Sequence, residues 1–211
     1  MTTAEKKHEM SLNTIKSICV FCGSGNGNDP AFKAAAIKLG QLLTQNNIEL
    51  IYGGGDMGLM GVISDAVREN GGKVTGIIPE FLLKYQNENS DSSGLIVTKD
   101  MHTRKARMYD LADAFIALPG GIGTLEELVE TMTWAQLGTH KKPIALLNTS
   151  NFWAPLLGLI DHMRAENFIR DGLEVNFKIV DKPETIISAL NETQMNQRVE
   201  SSREQERSTL I

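Results

Sequence analysis

The sequence predicts an α/β fold, a Rossmann-like doubly wound parallel sheet in a single domain, on three observations. Short apolar runs alternate with helical stretches along most of the chain, the pattern of strands joined by crossover helices. The runs lack the polar alternation of half-solvated strands, as expected of strands covered on both faces. A chain of 211 residues, 41% hydrophobic and 22% charged, suffices for one core of ordinary size.

In order along the chain, the runs at 15–22, 48–52, 73–78, 114–118 and 144–147 are short, rich in β-branched or bulky residues, and read as strands. Between them, 31–45, 58–70, 102–111, 124–137 and 152–166 read as helices, making right-handed strand–helix–strand units. A strand at 177–180 and a helix at 183–190 complete the pattern. Residues 84–94, with Asn87, Asn89, Asp91, Ser92 and Ser93, read as one long exposed loop. Residues 1–13 and 194–211 are polar without apolar periodicity. They are expected to be a disordered arm and a disordered polar tail on either side of a folded domain at 14–193.

Composition excludes several partners. The 21 Lys and Arg against 26 Asp and Glu give a net charge of −5, so no global positive field is available to hold nucleic acid. No apolar run approaches the roughly 20 residues of a membrane span, and residues 1–11 lack the apolar middle of a secretory signal. A cytoplasmic protein without a membrane partner is expected. Cys19 and Cys22 form a C-x-x-C, but they fall within a strand run, where an offset of three points them to opposite faces. They read as buried, reduced thiols. His8, His102, His140 and His162 are scattered without metal-ligand spacing, and Ser24 lies outside a G-x-S-x-G turn. Neither a metal nor a cofactor is expected.

Glycine placement is more informative. Three loops at strand ends are glycine-rich: Cys22-Gly23-Ser24-Gly25-Asn26-Gly27, Gly53-Gly54-Gly55-Asp56-Met57-Gly58-Leu59-Met60-Gly61, and Pro119-Gly120-Gly121-Ile122-Gly123-Thr124. Eleven of the 19 glycines fall in 18 of these residues, where an even spread would put about 1.6. Glycine permits backbone angles that turn successive N–H groups toward one point, and a following helix N-terminus adds partial positive charge, so such loops can cradle phosphate. Each can equally be a tight turn. Gly53-x-Gly55-x-x-Gly58, with Glu80 22 residues beyond Gly58, also matches a dinucleotide fingerprint.

Thr124-Leu125-Glu126-Glu127 reads locally as a capping box, Thr124 as N-cap and Glu127 reaching back. The preceding glycine nest offers a second reading, in which Glu127 faces a bound anion within one helical turn. On 102–111, Arg104 falls inside the apolar stripe of Met101, Met108 and Leu111. Either its head escapes to water or it is held inward by a phosphate or by Glu127. Lys105 and Arg107 add local positive charge.

Met101-His102-Thr103-Arg104-Lys105, followed by Pro119-Gly120-Gly121-Ile122-Gly123-Thr124-Leu125-Glu126-Glu127, resembles the paired signature of the Lonely Guy (LOG) family, which includes P-G-G-x-G-T-x-x-E. Gly53 to Gly61 and Trp134-Ala135-Gln136-Leu137-Gly138 follow the same pattern, and the resemblance covers residues 15–190. It implies hydrolysis of the N-glycosidic bond of nucleoside 5′-monophosphates, such as cytokinin riboside 5′-monophosphate or AMP, to free base and ribose 5-phosphate. It implies Arg104 and Glu127 as the catalytic pair and a homodimer with residues of both chains near the site. Together with the glycine loops it names Ser24, Gly54, Gly55, Met57, Gly58, Lys105, Gly120, Gly121, Ile122, Gly123, Thr124, Glu126 and Thr133 as substrate-binding. Some members carry a lysine decarboxylase label, but nothing here suggests a pyridoxal phosphate lysine. Two positions depart from the family's common pattern: Gly25 replaces a usual second Ser after Ser24, and Gln86 stands where an acidic base-contacting residue is common.

The residues suit that chemistry. Cleavage at C1′ builds positive charge on the ribose, so a carboxylate such as Glu127 can stabilise it and activate water, while the phosphate is held by the nest and Arg104 or Lys105. Two other readings fit the loops: a non-catalytic nucleotide or molybdenum-cofactor carrier on the same fold, and an NAD-dependent oxidoreductase using Gly53 to Gly58 and Glu80.

Overall fold

The computed structural model describes residues 15–86, 93–170, 172–174 and 176–209. The chain runs β1 (Ser17–Phe21), α1 (Pro30–Gln45), β2 (Glu49–Tyr52), α2 (Gly58–Glu69), β3 (Val74–Pro79), a 3₁₀ turn (Glu80–Tyr85), β4 (Leu95–Thr98), α3 (Met101–Leu111) and β5 (Ala114–Ala117). It continues through α4 (Ile122–Gln136), β6 (Ile144–Leu147), α5 (Ala154–Ala165), β7 (Lys178–Val180) and α6 (Ile186–Thr209). The seven strands form one sheet in the order β4-β3-β2-β1-β5-β6-β7, with every pairing parallel. Ile18 of β1 faces Leu50 on one side and Ala114 on the other. The strand order reverses between β1 and β5, the place where a doubly wound sheet opens a crevice at its carboxyl edge.

Both sheet faces are covered, which is why β5 and β6 are apolar at every position and β1 and β2 are apolar after their first residue. One core joins Ile18 and Val20 of β1 to Leu39 and Leu43 of α1, Ile63 and Val67 of α2, and Ile186 and Leu190 of α6. The other joins Cys19 and Phe21 to Met108 of α3, Leu128 and Met132 of α4, and Ile160 of α5. The two thiols thus lie on opposite faces, both free and buried, and burial pushes each well above the ordinary thiol range. Local signals start α1: Asp29 Oδ1 accepts the Ala31 N–H at 2.9 Å, and Pro30 occupies the first turn.

The structure differs from the sequence reading in three places. The stretch read as a loop from 84 begins inside the 3₁₀ turn and leads to β4, a four-residue edge strand with Val97 51% exposed, too short and too open to register as a buried run. Residues 87–92 and the expected arm at 1–13 lie outside the described residues. Helix α4 begins at Ile122 with Gly121 as N-cap and no side-chain cap, so Thr124 is not the cap and the capping box does not form. The last helix runs on to Thr209, through residues assigned from sequence to a polar tail. That segment lacks an apolar stripe but is rich in Gln, Glu and Arg, which are good helix formers without one. Among the described residues no helix is long and apolar enough to cross a membrane.

Candidate active site

The carboxyl ends of β3, β2, β1 and β5 open into a cavity of about 480 Å³. Its floor is an ion pair between α3 and α4: Arg104 Nη1 lies 2.8 Å from Glu127 Oε1, with side chains 9% and 10% exposed. Asp100 caps α3 by accepting the Thr103 N–H at 2.7 Å, which sets the helix phase that turns Arg104 inward. The guanidinium is held on its other edges by backbone at two strand ends. Nε donates to the Ile77 carbonyl at 3.1 Å and Nη2 to the Gly53 carbonyl at 3.3 Å. With three anchors the fork is fixed in place, and it fixes the Glu127 carboxylate in turn. Burial pushes the Glu127 carboxyl above the ordinary carboxylate range, and the Arg104 guanidinium opposes that rise without cancelling it.

The residues named from sequence divide into two groups. Ser24, Gly55, Met57, Arg104, Gly121, Ile122, Gly123, Thr124 and Glu127 all line this cavity. The first helical bond of α4 runs from the Leu125 N–H to the Gly121 carbonyl, so the N–H groups of Ile122, Gly123 and Thr124 have no partner within the helix. The others lie away from it. Lys105 Nζ is held by Glu126 and, at 3.0 Å, by Glu130. Thr133 is on the outer face of α4, its hydroxyl donating to the Val129 carbonyl. Gly120 packs behind the cavity against Gly23. Gly54 and Gly58 shape the backbone. At Gly58 (φ +61°) a Cβ would stand 2.2 Å from the Ser24 carbonyl carbon, so only glycine lets the second loop meet the first.

That meeting decides what the second loop can do. The Leu59 and Met60 N–H groups at the start of α2 donate to the Gly23 carbonyl at 3.0 and 3.4 Å. A dinucleotide fingerprint would turn these groups to a pyrophosphate. Here they tie the first two loops together, and Glu80 of that reading is exposed and does not line the cavity.

The sequence reading missed the far wall, where Ile78, Leu82 and Tyr85 from the end of β3 and the 3₁₀ turn face the cavity with Met57 and Met60. Gln86 closes that wall, its Nε2 donating to the Gly54 carbonyl. An irregular segment after a strand shows no periodicity, so only its apolar residues before a polar stretch could have signalled it. From β3 to β5 the cavity spans three strand spacings, about 14 Å at roughly 4.8 Å each. The sequence of surfaces along it is apolar wall, buried carboxylate and backbone N–H cradle. Among the described residues no group of three His, Cys, Asp or Glu side chains could hold a metal ion.

Comparison with known proteins places the chain in context. A family model described as "Possible lysine decarboxylase" matches residues 60–190. A cytokinin riboside 5′-monophosphate phosphoribohydrolase of Arabidopsis thaliana is 52% identical over 155 residues, 74% of this chain and 73% of that protein. A second from the same plant is 49% identical over 161 residues, 76% and 74% of the two chains. Among solved structures, the molybdenum cofactor binding protein of Rippkaea orientalis superposes with a TM-score of 0.58 at 25% identity, covering 87% of this chain and 96% of that one.

Proposed function

The chain belongs to the Lonely Guy (LOG) family, and from that premise we propose that it is a phosphoribohydrolase. It hydrolyses the N-glycosidic bond of adenine-type nucleoside 5′-monophosphates to free base and ribose 5-phosphate, acting as a cytoplasmic homodimer whose 14–193 domain carries the activity. One observation carries this reading beyond the relatives' names. Along the cavity, an N–H cradle, a buried carboxylate and an apolar wall follow in the order in which such a substrate presents phosphate, ribose and base.

In this reading the Ile122, Gly123 and Thr124 N–H groups and the start of α4 bind the 5′-phosphate. Binding there fixes the ribose against Glu127, so energy from the non-reacting end serves the reacting one. As the C1′–N9 bond breaks, its electron pair leaves with the base, and Glu127 stabilises the cationic ribose and takes a proton from the attacking water. The base takes its proton from solvent. A carboxyl raised toward neutrality is the better base for this step, and Arg104 keeps it aimed. Among the described residues no lysine lines the cavity, so the decarboxylase description of the family model finds no Schiff-base residue there.

The homodimer draws support from α4. Ile122 and Val129 of α4 and Leu137, which caps its C-terminus, are 81%, 44% and 71% exposed, an apolar stripe that a second copy would cover. Thr133 lies on that stripe, so its role in substrate binding would be exercised across the interface.

The test is product analysis. With AMP the protein should release adenine and ribose 5-phosphate, and adenosine should be a poor substrate because it lacks the anchoring phosphate. Binding of AMP without base release would instead favour a carrier and overturn the assignment.

A further inference from the structure

Trp134-Ala135-Gln136-Leu137-Gly138 follows the family pattern, yet none of these residues lines the cavity. The segment turns the chain back at the end of α4. Gly138 takes a left-handed backbone (φ +73°), and the Thr139 N–H and hydroxyl both donate to the Trp134 carbonyl, at 3.0 and 2.7 Å. This turn delivers His140, which is buried. Its Nδ1 accepts the Lys142 N–H at 3.0 Å, so Nε2 carries the proton and donates to the Thr131 carbonyl of α4 at 3.1 Å. Burial holds the imidazole below the ordinary histidine pKa, in keeping with that neutral tautomer. Lys142 reaches the other helix. Its Nζ donates to the Tyr109 carbonyl in the last turn of α3 at 2.7 Å and stands 4.2 Å from the centre of the Tyr109 ring. Tyr109 packs edge-on against Trp134 and His140, with ring centres 5.0 and 5.2 Å away.

Resting on the phosphoribohydrolase reading, we propose that His140, together with Lys142, is a positioning residue for the Arg104–Glu127 pair, clasping α3 to α4 and so setting how the guanidinium holds the carboxylate. The connections are short on both helices. Thr131, which takes the His140 bond, donates its own hydroxyl to the Glu127 carbonyl at 2.8 Å, one helical turn back. Tyr109, which takes the Lys142 bond, lies little more than one turn beyond Arg104. Lys105 also bridges the helices, to Glu126 and Glu130 beside the pair. The clasp is a second point of attachment, and two points fix the angle between the helices as well as their distance.

The experiment measures kcat and KM for AMP with the wild type, His140→Phe, His140→Gln and Lys142→Met, and repeats His140→Phe in a Glu127→Gln background. His140→Phe keeps a ring against Tyr109 and Phe115 but loses both hydrogen bonds. Its kcat should fall about 10- to 100-fold, the scale of a small misplacement of reacting groups, with KM within about threefold of the wild type. A Gln amide carries an acceptor and a donor on either side of one carbon, as the imidazole does, so His140→Gln should retain most of the rate. Lys142→Met cuts the bond to α3 and should lower kcat with KM again little changed. Because His140 acts through Glu127, His140→Phe should cost the Glu127→Gln enzyme less than about threefold. A role in packing alone would reverse the ranking, leaving Phe active and Gln impaired. That ranking, or the full further loss in the Glu127→Gln background, overturns the proposal. An unchanged kcat in Lys142→Met overturns it too, and remains readable if His140→Phe does not fold. Failure of the wild type to release base from any monophosphate would instead refute the phosphoribohydrolase reading on which this rests.

Discussion

Substituting the two members of the buried pair separately should divide chemistry from stability. Arg104→Met leaves Glu127 buried with no counter-charge and strips a donor from each of the Ile77 and Gly53 carbonyls. Removing one member of a buried pair costs about 3–5 kcal/mol. At about 2–4 °C per kcal/mol for a chain of this size, Tm should fall by roughly 6–20 °C. Glu127→Gln keeps the shape and an oxygen for Arg104 Nη1, and removes a carboxyl whose ionisation burial already opposes. Its stability should change by no more than about 1–2 kcal/mol. Its rate should nevertheless fall by about 10²-fold or more, the scale of one catalytic base or one charge at a developing cation. The assay is chromatographic release of adenine from AMP in a single turnover, beside thermal unfolding of each variant.

The raised Glu127 carboxyl adds a pH signature to the same experiment. The ionised form is the active one, so kcat/KM should drop as pH falls through a value above the ordinary Glu range near 4.3. Stability runs the other way. The folded state holds the Glu127 proton to higher pH than the unfolded chain, so this stabilisation is fully present below the unfolded pKa and lost as pH rises through the folded one. Glu127→Gln should abolish both trends. A Glu127→Gln enzyme within about threefold of the wild-type rate, or one that keeps the acidic limb, would refute the role given to this carboxylate.

Two further predictions concern the loops and the outer face of α4. Gly58→Ala should destabilise the fold by more than about 2 kcal/mol, because its left-handed backbone and the Ser24 carbonyl both exclude a methyl. Gly121→Ala, with no atom within 4 Å of the added carbon, should leave Tm within about 2 °C while raising KM for AMP; equal loss of stability in both variants would count against this account. Leu137→Asp on the exposed stripe should convert a dimer to a monomer on size-exclusion chromatography with light scattering, and an unchanged mass would show that α4 is not the interface.

The parallel sheet was legible because of where its strands lie. Buried on both faces, Ile18 to Phe21 and Ala114 to Ala117 have no solvent side to call for polar residues, so they stand out as unbroken apolar runs. Local signals failed where a distant partner outcompeted them. Thr124 and Glu127 have the spacing of a capping box, but Arg104 claims the carboxylate and the N-cap, Gly121, lies three residues earlier. Lys105 reads from sequence as a cation for phosphate, yet two carboxylates on α4 hold it. Leu82 and Tyr85 could not be placed at all, since an irregular segment carries no periodicity to show which way it faces.

Short-range physics therefore suffices for the buried strands, most of the helices, the glycine loops and the arginine and glutamate at their centre, but not for the edge strand β4 or the end of α6, because each of the former shows in neighbours a few residues away. Which loops share a cavity depends on strand order. That order arises from packing between segments as distant as β1 and β5, and it alone brings Gly53, Ile77, Arg104 and Glu127 to one point.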